Sequence, residues 1–134
     1  MKQVESVMSP LNPPSDCRFC LSNHVLEGEV LAETDNSFVI EASTSSGNYL
    51  LVPKAHIEEL GDLPDNWWQE IKILIPKLPE LADSFNISVN YGEAAGQRVK
   101  HLHFWVVSRQ PGQSASGKGL ALLVTEANQA GSGS

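Results

Sequence analysis

Basic residues are scarce in this chain: nine Lys and Arg stand against sixteen Asp and Glu, a formal charge of -7 over 134 residues. A surface of that sign repels a phosphate backbone and carries no basic stripe, which excludes broad nucleic-acid binding; a small phosphate ligand needs only a few local donors. Long apolar runs are missing too. No stretch approaches the roughly 18 residues of a membrane span, and the N-terminus lacks the charged-then-apolar pattern of a secretory signal, so no membrane partner and a cytoplasmic protein are expected. Cysteine is nearly absent: Cys17 and Cys20 are the only two, too close together to staple a secreted framework. No internal repeat is visible, and the length suits one domain.

What is present divides into three parts. Residues 1–16, with Pro10, Pro13 and Pro14, read as a flexible N-terminal segment, 17–110 as the ordered domain, and 111–134 as a Gly/Ser-rich C-terminal segment. Within that last part "LALLVTEANQ" from Leu120 could form a short helix packing back on the domain, and the final "GSGS" reads as an expression scar. In the domain, "GEVLAET" and "NSFVIEA" predict two strands joined around Thr34 and Asp35, and "YLLVPK" a third. Trp67, Ile71, Leu74 or Ile75, and Leu78 recur at helical spacing, with Pro64 in the first turn and Pro76 and Pro79 ending or kinking the helix. "NISVNYG" and "KHLHFWVVS" predict two more strands around the loop "EAAGQR". The resulting fold class is α+β, an antiparallel sheet covered on one face by one main helix.

The stretch "HLHFW" carries the most chemistry. A side-chain period of two puts Leu102, Phe104 and Val106 on the core face of a strand, and His101, His103 and Trp105 on the other. Same-face histidines are also compatible with an ordinary surface. Taken with its surroundings, however, "NYGEAAGQRVKHLHFWVVSR" resembles the signature of the histidine triad (HIT) family, as does "NYLLVPKAH" upstream; "CRFC" resembles the paired-cysteine start of the family's zinc-bearing bacterial members. The resemblance covers about residues 17–109.

It implies a five-stranded antiparallel sheet with a helix on its face, usually in a homodimer, that binds a nucleoside phosphate, with a purine as the expected base, and acts at its α-phosphorus. His103 matches the family's nucleophile, which attacks to give a nucleotidyl-histidine that water cleaves. Backbone N–H groups through Gly96, Gln97 and Arg98 are expected to meet the phosphate, Asn90 to donate to it, and Glu41 to accept the ribose hydroxyls. Three positions depart from the family pattern. Trp105 stands in place of the third triad histidine, Arg98 in place of a small hydroxyl residue, and Asn48 where many members carry histidine. An indole N–H donates a hydrogen bond but does not shuttle a proton.

Cys17, Cys20, His56 and His101 form a second constellation. By itself Cys-x-x-Cys is also compatible with a redox pair or two buried thiols; with His56 in the matched "PKAH", the resemblance implies a structural zinc held by all four and no catalytic metal. Of the remaining candidates, His24 and Lys54 read as solvated, and of the adjacent Trp67 and Trp68 one is expected in the core. Two functional readings lead: a nucleotide hydrolase or nucleotidyl transferase using His103, and a nucleotide-binding module in which Trp105 has removed turnover. A zinc-stabilised interaction domain is the third.

Overall fold

A computed structural model describes residues 16–26, 28–43 and 46–132. Five strands, β1 (Ala32–Glu33), β2 (Ser37–Glu41), β3 (Asn48–Pro53), β4 (Ser84–Val89) and β5 (Phe104–Arg109), form one antiparallel sheet in the order β1-β2-β3-β5-β4. Helix α1 (Trp67–Leu74) lies between β3 and β4 in sequence, and α2 (Leu120–Ser132) follows β5. This is the five-stranded α+β architecture expected from the sequence.

Alternation along the strands builds two cores. Val39, Tyr49, Leu51, Phe104 and Val106 meet Trp67, Ile71 and Leu74 of α1. Phe38, Ile40, Leu50 and Val52 point to the opposite face, where Cys17, Phe19 and Cys20 cover them. The sheet is therefore covered on both faces, not one. The second cover comes from a short cysteine-bearing segment with no periodicity of its own, which a pattern reading passes over.

Helix α1 begins three residues later than its proline suggests: the Trp67 N–H bonds back to the Pro64 carbonyl, so Pro64 sits in the preceding turn. It ends at Leu74, and Ile75–Lys77 tightens into a 3₁₀ turn around Pro76, whose ring cannot continue the helix. Trp67 is 4% exposed and Trp68 61%, as adjacent helix positions require. A charged residue that periodicity misses, Glu70, is buried on the same helix; its carboxylate accepts from Ser37 Oγ at 2.7 Å and from the Thr34 hydroxyl, tying α1 to the β1–β2 turn.

Residues 111–119 are tied to β5 at two carbonyls. Arg109 reaches from β5 to the carbonyls of Ala115 and Lys118, 2.5 Å each. Helix α2 runs longer than the sequence suggests and takes in Gly131 and Ser132. Leu123 is half-buried and lines a cleft with Ile87, Val107 and Leu120, while Leu120, Leu122 and Val124 are themselves exposed. The expected flexible N-terminal segment lies, but for Asp16, outside the described residues. Among the described residues no helix is long and apolar enough to cross a membrane.

Candidate functional site

The regular strand β5 begins only at Phe104, so His101 and His103 precede it. Their anchorage differs from ladder pairing: Leu102 donates its N–H to the Ile57 carbonyl at 2.8 Å, which fastens this run to the segment leaving β3. Both imidazoles are consequently buried.

His101 meets Cys17, Cys20 and His56, and the four ligand atoms all lie within 4.8 Å of one another. Cys17 Sγ is 3.4 Å from His101 Nδ1, and Cys20 Sγ is 3.2 Å from His56 Nδ1. The ring nitrogens facing away are also engaged. His101 Nε2 lies 2.7 Å from the Pro53 carbonyl oxygen, an acceptor only, so Nε2 carries the proton and Nδ1 keeps its lone pair toward the thiols. His56 Nε2 is 2.9 Å from Glu58 Oε2, the same arrangement with a carboxylate. Burial pushes the His101 imidazole down to about 4, the Pro53 bond opposing, so it is neutral at physiological pH. Burial, with the Cys17 thiol adding, pushes the Cys20 thiol up to about 12, a cost that a bound cation reverses by favouring thiolate. Two sulfurs and two oriented imidazole nitrogens form a donor set that could hold a metal ion, with outer partners on both rings.

His103 lies beside this cluster and outside it. Its Nδ1 is 2.8 Å from the His101 carbonyl oxygen, so Nδ1 donates and Nε2 is left with a free lone pair. Burial lowers its basicity, and the charge of Arg18 adds to that. The Phe19 ring packs 4.8 Å away.

The loop before these histidines is braced from within. Gly96 has φ +100, a left-handed conformation that favours glycine, and the Asn90 amide nitrogen sits 3.4 Å from where a Cβ on Gly96 would stand. Gln97 uses its side chain on the loop itself, accepting from the Gly92 N–H at 2.9 Å and donating to the Val99 carbonyl at 3.0 Å. The backbone N–H groups of Gly96 and Gln97 already donate to the Glu93 and Gly92 carbonyls. These two of the three N–H groups expected to meet phosphate are thus engaged within the turn, which closes on its own carbonyls. Arg98 is exposed and lines two clefts, of about 410 and 310 Å³, that share Glu58 and Lys100; His103 lines neither.

Glu41 does not join the site. Phe38 and Ile40 face the cluster on which Trp105 packs, whereas Val39 faces α1; one residue further, Glu41 has the parity of Val39 and is exposed on the wrong side of the sheet. The residue with the right parity is Ala42, which has no polar group. Lys54 pairs with Glu33 at 2.6 Å, Asn48 accepts from the Ser108 N–H at 3.0 Å, and His24 is exposed. Glu58, Pro53 and Phe19 were not anticipated. Of these only Glu58 had a sequence signal, a carboxylate two residues beyond a candidate ligand; the other two depend on tertiary contact.

Residues 23–112 match the HIT domain. The chain belongs to the HIT family. It is 33% identical over 104 residues to an uncharacterised HIT-like protein of Methanocaldococcus jannaschii, covering 72% of this chain and 81% of that protein. It is 32% identical over 101 residues to an adenosine 5′-monophosphoramidase of Schizosaccharomyces pombe, covering 69% and 74% respectively. Among solved structures, a zinc-bound histidine triad family protein from Mycobacterium smegmatis superposes with TM-score 0.62 at 26% identity, over 90% of this chain and 100% of that one. In this chain the fold places the histidine run against the paired-cysteine segment.

Proposed function

We propose that this HIT protein hydrolyses or transfers the nucleotidyl group of a nucleoside phosphate compound at its α-phosphorus, through a nucleotidyl-histidine on His103. Candidate substrates are nucleoside phosphoramidates, dinucleoside polyphosphates and related adenylylated compounds. The observation that carries the reading is the 2.8 Å bond from His103 Nδ1 to the His101 carbonyl, which holds a neutral ring with Nε2 as the only available lone pair. Such a ring is already in the tautomer that attack on phosphorus requires.

In this reading Nε2 bonds to phosphorus as the leaving group departs, and water then displaces His103. Asn90, poised against Gly96, donates to the phosphate; Gln97 shapes the loop, and Arg98 meets phosphate oxygens with its guanidinium. Trp105 occupies the third triad position. The ribose contact assigned to Glu41 is withdrawn with its misplaced side chain. The name of the Schizosaccharomyces pombe relative supports a nucleotide substrate and an adenine base.

Zinc is the ion we assign to Cys17, Cys20, His56 and His101, supported by the donor set and by the zinc-bound Mycobacterium smegmatis structure. With four protein ligands its chemistry is structural, joining the segment that carries Phe19 to the His101 run. The two buried cysteines, not joined to each other, support a reducing, cytoplasmic setting, and β4, which ends the sheet with no strand beyond it among the described residues, supports a homodimer that continues the sheet.

Intact-protein mass spectrometry after alkaline quenching, with adenosine 5′-phosphoramidate or a diadenosine polyphosphate, tests the reading. An AMP adduct, lost in His103→Ala while AMP still binds, is expected. Turnover unchanged in His103→Ala would remove His103 as nucleophile. The second reading, a nucleotide-binding module without turnover, is favoured by Trp105, and tight AMP binding without adduct or product would select it.

A further inference from the structure

Trp105 is the side chain whose chemistry the reading above leaves unexplained. Its indole N–H is buried with no hydrogen-bond partner among the described residues, although the residue as a whole is partly exposed. A buried donor without an acceptor costs about 1–3 kcal/mol. Trp67 has an unpartnered N–H as well, but it lies in the core between α1 and the sheet, its ring 5.4 Å from Phe104. Trp105 instead follows His103 by two residues, about 6–7 Å along the strand direction. It packs on the cluster containing Phe19, the same ring that lies against His103. An acceptor arriving with a ligand would satisfy this donor, two residues along the chain from His103.

Resting on the nucleotidyl-histidine reading, we propose that Trp105 makes the site selective for leaving groups that depart as stable oxyanions. The favoured substrates are nucleoside monophosphates joined through an anhydride oxygen to sulfate, phosphate or carboxylate, with phosphoramidates cleaved poorly. In the first step His103 Nε2 bonds to phosphorus and the bond to the leaving atom breaks, its electron pair passing to that atom. An anhydride oxygen carries the pair away as a sulfate, phosphate or carboxylate, and the Trp105 N–H donates a hydrogen bond to it. A nitrogen leaving atom requires a proton as its bond breaks, and an indole N–H supplies none.

The neighbours of Trp105 do not replace that acid. On β3 it faces Leu50, with Ile40 and Val52 on the same apolar face, and on β4 it faces Ser88, whose hydroxyl is too weak an acid. A cleft of about 310 Å³, which Cys17 and Val99 of the same apolar cluster help to line, carries Arg18, Arg98 and Lys100 alongside Asp16 and Glu58, a local cationic group in an acidic protein. In the second step water attacks phosphorus, the P–N pair returns to Nε2, and the proton of the water passes to solvent.

The test compares kcat/KM for adenosine 5′-phosphosulfate and adenosine 5′-phosphoramidate in the full chain, Trp105→His and Trp105→Phe, with detection of the adenylyl adduct. The wild type is expected to favour the phosphosulfate by at least about 100-fold. General acid help contributes about 10² to 10⁴ in rate, so Trp105→His should raise phosphoramidate cleavage and narrow the ratio at least about tenfold. Trp105→Phe, lacking the N–H, should lower phosphosulfate cleavage about 5- to 20-fold and phosphoramidate cleavage less. A wild-type ratio near one overturns the proposal without any variant, and so does an unchanged ratio in a folded Trp105→His; both leave the nucleotidyl-histidine in place. No adduct and no AMP from either compound overturns the role of His103, and the proposal falls with it.

Discussion

His101 Nε2 lies 2.7 Å from the carbonyl oxygen of Pro53, the last residue of β3, and this contact turns the Nδ1 lone pair of His101 toward Cys17 and Cys20. One backbone carbonyl thereby fixes the tautomer of a buried ring and joins the sheet to the cysteine segment. The purified protein is accordingly expected to hold about one zinc per chain. Since structural zinc contributes about 10–16 kcal/mol to folding in small metal-dependent domains, Cys17→Ser or a strong chelator should lower Tm by more than about 10 °C. Elemental analysis and thermal melts check this; a metal-free protein with an unaltered melt sinks the assignment.

Acid should weaken the metal-free protein over a defined window. The folded His101 titrates near 4, below its ordinary 6.5, because burial penalises the cation. The unfolded chain therefore takes up this proton first. The stability contributed by the neutral buried ring is present above pH 6.5 and is lost as pH falls from 6.5 toward 4. His103, also lowered by burial, acts in the same direction. Urea titrations of chelator-treated protein at several pH values should show this decline, with a shallower slope in His101→Gln. Equal slopes would mean that another group governs the acid limb.

Gly96→Ala should disturb the loop through its backbone. The left-handed conformation at φ +100 disfavours any side chain, whereas the new methyl would only reach van der Waals contact with the Asn90 amide at 3.4 Å. A loss of about 1–2 kcal/mol in chemical denaturation is expected from the backbone strain. Calorimetry should also show weaker AMP binding, because the strained turn lies against Asn90; unchanged affinity would argue that this turn does not shape the ligand site.

Glu70→Ala should cost about 1–3 kcal/mol, because it removes the acceptor shared by the Thr34 and Ser37 hydroxyls, which between them can then satisfy only one donor. Ser37→Ala in the same background should then cost little more, a coupling that a double-mutant cycle in urea measures directly. Additive losses would show that the two residues act separately.

Much of the molecule follows from local sequence. The apolar positions at period two and near four determine which faces of the strands and of α1 are buried, Pro76 ends that helix, and the spacing of Trp67 and Trp68 sends one ring inward and the other to water. The sequence likewise groups Cys17, Cys20, His56 and His101 as candidates, since their types suit one ion and their order matches a known pattern.

What the chain pattern leaves open is decided by contacts distant in sequence. Only tertiary packing brings Cys17 within 3.4 Å of His101, 84 residues away, and lays the Phe19 segment over the second face of the sheet. Only the pairing of the Leu102 N–H with the Ile57 carbonyl buries a histidine run that alternation alone would place on an open face. A one-residue difference in strand register removes Glu41 from the site, because side chains alternate faces at each step and an apolar stretch does not specify where a polar neighbour points. The bond that fixes the tautomer of His103 is equally a matter of tertiary form. A backbone carbonyl is common to every residue, so no residue type announces which one a ring will meet.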